Sequence, residues 1–390
     1  VLVCGATIAG LTCARTLQKK GVEVTVLDNE GVDYSNNGTI VHFPAQHILD
    51  KLGVYSQVQS KGSSIAVSAF GNDHAGTYGY VEYGKLLPSL YHDVVSIDTP
   101  SLIQVLSQGL TVKRRTHIKS VEQTQNGISA RTRNSVTPEH FDLVVVADET
   151  DSQVRGLLFD SSEITVKRPG YLFWELLMDR PDSVFPAHNI ECWGEKARLG
   201  FLPIGNNKLY VWGSFHPKIP LQLLPETQHR ELREVDEVYH QFEGFGVPAI
   251  LRELKNKHKC TITFPAYVKA PKWAKGHAVL IGDAAHAYPP TNTFAPMLAM
   301  EDGYILGSMV ANQDVSQIPA TLEQFSNARK TRVADATKHS EQSDSTLFPK
   351  RKPFTYWWKT KAMTITCSSP ILKQRMLSIV DFNPEPKKLN

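Results

Sequence analysis

Val1-Leu-Val-Cys4, Gly5-Ala-Thr-Ile-Ala-Gly10 and Leu11-Thr-Cys-Ala-Arg-Thr-Leu-Gln-Lys-Lys20 open the chain, and the order of these pieces decides the fold. The first is a short apolar strand and the second a glycine turn. The third has apolar positions 11, 14 and 17 at helical spacing. Gly21 closes the helix, and Val22-Glu-Val-Thr-Val-Leu27 alternates as a second strand with Asp28 at its end. Strand, glycine turn, helix, strand and acid within about thirty residues form the βαβ unit that binds dinucleotides.

Each part has a physical reason. Gly5 permits the tight turn, and Gly10 lets helix and strand approach closely. Thr7, Ile8 and Ala9 lie at a helix N-terminus whose free N–H groups can face a pyrophosphate. Asp28 is placed to accept hydrogen bonds from a ribose. Thr7 stands where the fingerprint has its second glycine; its β-branch holds the backbone away from the phosphates, while its hydroxyl can donate a compensating hydrogen bond.

Two later segments extend the pattern. Phe141-Asp-Leu-Val-Val-Val-Ala147 reads as a buried strand ending in Asp148-Glu149, with Val154-Arg155 beyond. Ala278-Val-Leu-Ile281 is another, ending in Gly282-Asp283-Ala-Ala-His286-Ala-Tyr288-Pro-Pro290, and a helix is predicted from Met297 to Val310. With Met300-Glu-Asp302 following, this order resembles the group A flavoprotein monooxygenases, the family of para-hydroxybenzoate hydroxylase and related aromatic hydroxylases. The likeness runs over nearly the whole chain and includes the segment Gly38 to Val54.

The resemblance implies an α/β fold: a Rossmann-like FAD-binding domain of the GR2 type, with an inserted antiparallel β-sheet substrate domain and C-terminal helices. The expected division is 1–160 with 265–345 for the discontinuous FAD domain, 161–264 for the substrate domain and 346–390 for a C-terminal helical segment. Non-covalent FAD would be held by Gly5 to Gly10 and Asp28 at the ADP half, by Asp283 at the ribityl or ribose-phosphate region, and by Gly282 through close approach. Asp148 corresponds to the family's DG motif, associated with FAD and NAD(P)H. The loop Pro290 to Met297, including Ala295 and Pro296, would lie against the isoalloxazine. Taken singly, Asp148 and Asp283 read as helix caps or turn closers; together and in this order they read as cofactor ligands. His286 reads as part of the cofactor loop rather than as a base.

Four departures from the family pattern converge on the same cofactor. Thr7 replaces a glycine, Thr99 stands where the family has an FAD-contacting arginine, Glu149 replaces the glycine of DG, and Thr291-Asn-Thr-Phe-Ala-Pro-Met297 replaces a glycine-rich loop. Pro296 has no N–H to donate, and Phe294 and Met297 are expected to add bulk beside the ring. Fewer donors near the flavin N1–C2=O edge would disfavour the anionic reduced flavin.

Between about 160 and 270 the pattern turns to strands. Tyr171 to Met178, Asn189 to Trp193, Ala197 to Pro203 and Lys208 to Trp212 read as successive strands, and Glu226 to Leu254 as one or two helices. Trp174, Trp193, Phe201, Tyr210 and Trp212 supply aromatic surface, of which two or three are expected to face a cavity. Tyr288 and Pro290 are expected nearest the substrate. Leu322 to Asp344 reads as a polar helix carrying Arg329 and Arg332, and the tail around Tyr356-Trp-Trp358 and Ile371 to Val380 as apolar enough to pack on the body.

Composition narrows the class of function. Lys and Arg number 42 against 39 Asp and Glu, so the near balance argues against a nucleic-acid partner. Five cysteines without paired spacing read as reduced thiols of a cytoplasmic protein, and no zinc-ligand spacing occurs. No apolar run is long enough to span a bilayer. No signal peptide is read, because residue 1 already lies inside a strand, and a few residues are expected ahead of Val1. GxSxG and the halogenase WxWxIP motif are both absent.

The activity implied is that of an NAD(P)H-dependent monooxygenase: O2 reacts with reduced FAD to a C4a-hydroperoxide that hydroxylates or epoxidises a small aromatic or polycyclic, secondary-metabolite-like substrate. The partners expected are that apolar or aromatic small molecule and O2, with the chain acting as monomer or homodimer. Two other readings stay open. One is a non-redox cyclase or isomerase using the same cavity, with FAD structural or lost; the other is a scaffold that binds a ligand or partner without catalysis.

Overall fold

A computed structural model describes residues 1–29, 34–74, 76–86, 93–194, 197–217, 230–233, 239–242, 245–246, 254, 259–291, 293–337, 365 and 370–385. The opening motif forms as its pattern dictates. Strand β1 (Leu2–Cys4) leads through the glycine turn into helix α1 (Ile8–Lys19) and on to strand β2 (Thr25–Asp28). All three residues of β1 are buried. The strand is covered on both faces, so it reads as a continuous apolar run rather than an alternating one.

β1 is central in a six-stranded sheet, flanked by β2 and by Val144–Val146, both parallel to it. Ala278–Leu280 pairs parallel with Val144–Val146, and Val112–Arg114 parallel with β2. Only the edge strand Ala274–Lys275 runs antiparallel. The C-terminal ends of β1, of Val144–Val146 and of Ala278–Leu280 therefore lie side by side, bringing Gly5, Asp148 and Asp283 to one edge. Gly5 has a φ of 114°. A Cβ there would sit 2.4 Å from the Ala147 carbonyl oxygen, so only glycine makes this turn.

The long helix Ala295–Val310 packs across α1. Gly303 and Gly307 allow that approach: a Cβ on Gly303 would meet the Ala9 carbonyl oxygen at 2.4 Å. The helix Ile318–Thr337 lies against it, joined by a buried ionic cluster. Arg329 Nη1 and Nε contact Glu301 and Asp302, each at 2.7 Å, and Arg332 Nη2 contacts Glu301 at 2.8 Å. Charges this deep are tolerated only because each is paired and hydrogen-bonded.

The second large sheet has eight strands, among them Leu172–Asp179, His188–Trp193, Ala197–Ile204 and Lys208–Phe215. It departs from the expected domain in three ways. Val67–Asn72 and Thr77–Glu82, from the first segment of the chain, complete one edge. The pairing of His188–Trp193 with Val67–Asn72 is parallel, so the sheet is mixed rather than antiparallel throughout. Within Glu226 to Leu254, read as helical, Arg230–Arg233 is a strand paired with Cys260–Thr263; most of that stretch lies outside the described residues. A third sheet of three strands places Gly38–Val41 beside Val94–Asp98.

The helix Pro370–Val380 packs near this body, with Val380 buried. Tyr356 to Trp358 lie outside the described residues. Cys4, Cys13, Cys192 and Cys260 are buried. Burial pushes Cys13 and Cys192 up to about 12. Among the described residues no three His, Cys, Asp or Glu could hold a metal ion, and no helix is long and apolar enough to cross a membrane.

Candidate active site

One cavity runs from the N-terminus of α1 to the inner face of the eight-stranded sheet. At the glycine-turn end it is lined by Thr7, Ile8, Ala9, Asp148, Glu149 and Asp283. At the sheet end it is lined by Asn189, Glu191, Leu202, Tyr210 and Trp212. Tyr288, Pro290, Ala295 and Pro296 lie in the wall between them.

Thr7 is the N-cap of α1. Its Oγ1 accepts from the Gly10 N–H at 3.3 Å and donates to the Ala147 carbonyl at 2.8 Å. The hydroxyl proton is thus committed to the backbone rather than left for a phosphate, which corrects the compensating role expected of it. The cap leaves the N–H groups of Ile8 and Ala9 for an anion, and the helix dipole favours one there. Gly5 and Gly10 shape the turn from beneath and do not line the cavity. Asp28 stands at the end of β2 outside the lining, its Oδ2 3.1 Å from Arg114 Nη1.

The two acids placed by parallel strands share one electrostatic condition. Asp148 is pushed up to about 6, chiefly by burial, against the opposing hydrogen bond from Ser152 Oγ at 2.9 Å. Asp283 is pushed up to about 6, first by burial and then by the nearby Asp302, with His286 opposing. Carboxylates held this way gain from neutral hydroxyl donors such as those of a ribityl or ribose chain. Arg155 ties the two segments together, donating to the Ala284 carbonyl at 3.0 Å and the Thr150 carbonyl at 2.8 Å.

His286 is held rather than poised. Its Nε2 lies 2.6 Å from Asp302 Oδ2 and its ring stacks on Trp273 at 5.0 Å. Gly282 lies beneath the cavity wall with a φ of 58°, and its N–H donates to the same Asp302 oxygen at 2.9 Å.

The altered loop does not fill the cavity. Met297 is buried in the core and Phe294 packs on His42, ring centroids 4.8 Å apart. Pro296 falls in the first turn of the Ala295–Val310 helix, where a missing N–H costs no intrahelical bond. Neither bulky side chain lines the cavity, contrary to expectation, and the wall there is an N-terminal helix turn instead of a glycine loop. Asn292 lies outside the described residues.

Of the five aromatic candidates, Tyr210 and Trp212 line the cavity. Trp174 and Phe201 do not: strand alternation turns them to the opposite face, into the cluster with Leu176, Leu199 and Val211. Trp193 lies beside the lining, packed on Phe70 at 5.5 Å and donating its indole N–H to Glu191. Thr99 lines the cavity through a network that its sequence does not advertise. Its hydroxyl bonds Asn37 Oδ1, Asn37 Nδ2 donates to Glu175 Oε2 at 2.8 Å, and Tyr210 OH donates to that oxygen at 2.7 Å. Glu175 and Glu191 were legible only as lone acids inside apolar strands; nothing in the sequence distinguishes Asn37 or Asn189.

These features fit an FAD: a glycine turn and capped helix N-terminus for the pyrophosphate, two buried acids for hydroxyls, and a helix N-terminus beside an apolar face. The family model for the FAD binding domain matches residues 1–340. The chain is 23% identical to an aurachin C monooxygenase/isomerase of Stigmatella aurantiaca over 95% of both chains. It is 25% identical to a 2-heptyl-3-hydroxy-4(1H)-quinolone synthase of Pseudomonas aeruginosa over 87% of both. In structure it matches Klebsiella pneumoniae HpxO complexed with FAD and uric acid with a TM-score of 0.82, at 17% identity, over 97% of this chain and 96% of that one. A salicylate hydroxylase substrate complex matches with a TM-score of 0.78, at 19% identity, over 98% and 95%. With its α/β fold and this match across most of its length, the chain belongs to the FAD binding domain family and is a flavoprotein of the group A monooxygenase type.

Proposed function

We propose that the protein uses FAD, NADH or NADPH, and O2 to hydroxylate or epoxidise a small aromatic or polycyclic substrate. The observation that carries this reading is the continuity of one cavity between the dinucleotide-type helix N-terminus and an apolar sheet face bearing Leu202, Tyr210 and Trp212. FAD, when bound, supplies the oxygen-activating redox chemistry.

The chain's own residues bind, orient and exclude water. The N–H groups of Ile8 and Ala9, behind the Gly5–Gly10 turn, would hold the pyrophosphate, with Asp28 toward the ADP ribose. Asp148 and Asp283 would accept from hydroxyls of the cofactor. The helix N-terminus at Ala295 would present its positive end to the ring, a charge-stabilising role for which the family has glycine amides. Tyr288 and Pro290 would border the reacting edge, and Tyr210 and Trp212 would cover the apolar substrate. One relative is by name a quinolone synthase, which favours a bicyclic heteroaromatic.

The non-redox cyclase or isomerase reading is not favoured: among the relatives named above, the one whose name includes isomerase carries it beside monooxygenase, and the FAD features are built rather than blocked. The test is the visible spectrum with added FAD, followed by NAD(P)H oxidation and O2 uptake with aromatic substrates. Bands near ~375 and ~450 nm, as expected of oxidised flavin, and substrate-dependent O2 uptake are the expected result. A protein that retains no FAD, or retains it without ever being reduced, sinks the proposal.

A further inference from the structure

The cavity lining carries an unusual charge balance. Asp148, Glu149, Asp283 and Glu191 line it, and among the described residues no Lys, Arg or His does. Glu191 is the acid at the sheet end. Its Oε1 takes three donors: Arg198 Nε at 2.8 Å, Arg198 Nη2, and the indole N–H of Trp193. Its Oε2 receives none among the described residues, and the side chain keeps 10% of its surface exposed at the cavity it lines.

Arg198 is withdrawn behind this acid. Its side chain is 6% exposed, with the guanidinium carbon 5.4 Å from the Trp212 ring centroid and 5.9 Å from that of Trp193. Trp212 packs against Gly200, where a Cβ would come within 2.1 Å of the indole, so glycine there leaves room for the ring beside the arginine. The arginine that could have met a substrate carboxylate is therefore consumed, and an acceptor faces the cavity in its stead.

Asn189, two residues earlier on the same face of the strand, also lines the cavity. Its Nδ2 donates to Ser68 Oγ at 3.0 Å, which leaves Oδ1 as a second acceptor about 7 Å along the strand. Two acceptors beside Trp212 and Leu202 describe a ligand with an apolar ring body and hydrogen-bond donors on one edge.

We propose that Glu191 is a specificity-determining residue: its Oε2 accepts from a ring O–H or N–H of the substrate, and the site selects phenolic or N–H heteroaromatic molecules while rejecting aromatic carboxylates. The assignment rests on the monooxygenase reading of the same cavity. An ionised acceptor on a ring O–H or N–H also raises the ring's electron density, which suits attack by an electrophilic oxygen. No proton needs to leave the substrate for either effect.

Glu191→Gln sharpens the test. The three donors around Oε1 hold the amide oxygen on their side, so the amide NH2 must face the cavity and an acceptor becomes a donor. On the FAD-loaded protein, calorimetry with 1-naphthol and 1-naphthoate is expected to show at least ~10-fold tighter binding of the naphthol, as for a hydrogen bond to a charged group. In E191Q that ratio is expected to fall at least ~10-fold, toward the naphthoate. A wild-type ratio near one, no binding of 1-naphthol, or an unchanged ratio in folded E191Q overturns the assignment. The wild-type ratio decides the matter alone if E191Q does not fold. Binding does not need turnover, so a protein that never oxidises NAD(P)H would sink the monooxygenase reading while this ratio still reports on Glu191.

Discussion

Asp302 Oδ2 accepts a 2.9 Å hydrogen bond from the Gly282 backbone N–H, tying the long helix against α1 to the turn that carries Asp283. The same carboxylate meets His286 Nε2 at 2.6 Å and Arg329 Nε at 2.7 Å. Burial alone would raise its pKa, but His286 and Arg329 hold it below the ordinary carboxylate value. One acid thus sets the position of the cofactor turn and the docking of two helices.

Asp302→Ala should cost about 3–5 kcal/mol, because it leaves a buried guanidinium without one of its partners. Flavin retention should fall with it, since the Gly282 turn loses its anchor. Urea unfolding midpoints decide this; a variant within about 1 kcal/mol of wild type, beyond ordinary surface effects, would show that the cluster is replaceable.

Asp283→Asn should stabilise the flavin-free protein while weakening FAD binding. A folded pKa near 6 against an ordinary 3.8 means that ionisation costs stability, the cost growing as pH rises through that window and being complete above it. Allowing for solvent at the cavity wall, the gain at pH 7.5 should be about 1–2 kcal/mol and should vanish toward pH 4. Thermal melts with and without FAD check both halves. A lower melting temperature without FAD at pH 7.5 would contradict the electrostatic account.

His42 is fully buried with neither ring nitrogen hydrogen-bonded, between Phe294 and Tyr83, and burial pushes it down to about 3. The unfolded chain takes up a proton below 6.5 that the folded state refuses, so stability present above that pH is lost as pH falls. Asp148 and Asp283 act in the opposite sense between 3.8 and about 6. The effect is therefore read as a difference: His42→Phe should gain about 2 kcal/mol on wild type between pH 7 and pH 5. Parallel stability profiles of the two proteins would refute it.

Tyr210→Phe removes one of the donors to Glu175 Oε2 and should cost about 1–3 kcal/mol. Because the Asn37 contact remains, Tyr210→Phe combined with Asn37→Ala should cost a different amount from the sum of the single changes. A double-mutant cycle measures this directly, and strict additivity would mean the two donors act independently.

The sequence made the opening unit legible because glycine turns, helical spacing and buried strands are set by residues close in the chain. Gly5, Gly10, Asp148 and Asp283 could be placed for the same reason: each follows directly on an apolar strand. The sheet end was less legible. Trp174 and Trp212 both sit in aromatic, strand-like runs, and only pairing and packing show that one faces the cavity and the other the opposite core. Phe294 and Met297 look obstructive in a list of residues, yet helix geometry turns them inward.

The chain alone therefore determined an ordered series of parallel strands with acids at their ends, since local stereochemistry and burial pattern require no distant partner. Tertiary structure decided what those ends confront. The Glu175–Tyr210–Asn37 contacts join residues up to 138 positions apart, and Arg198 is turned from a substrate ligand into the support of Glu191 by a partner on the neighbouring strand. Such pairings depend on sheet register and on which face packs inward, neither of which is written in any single stretch of sequence.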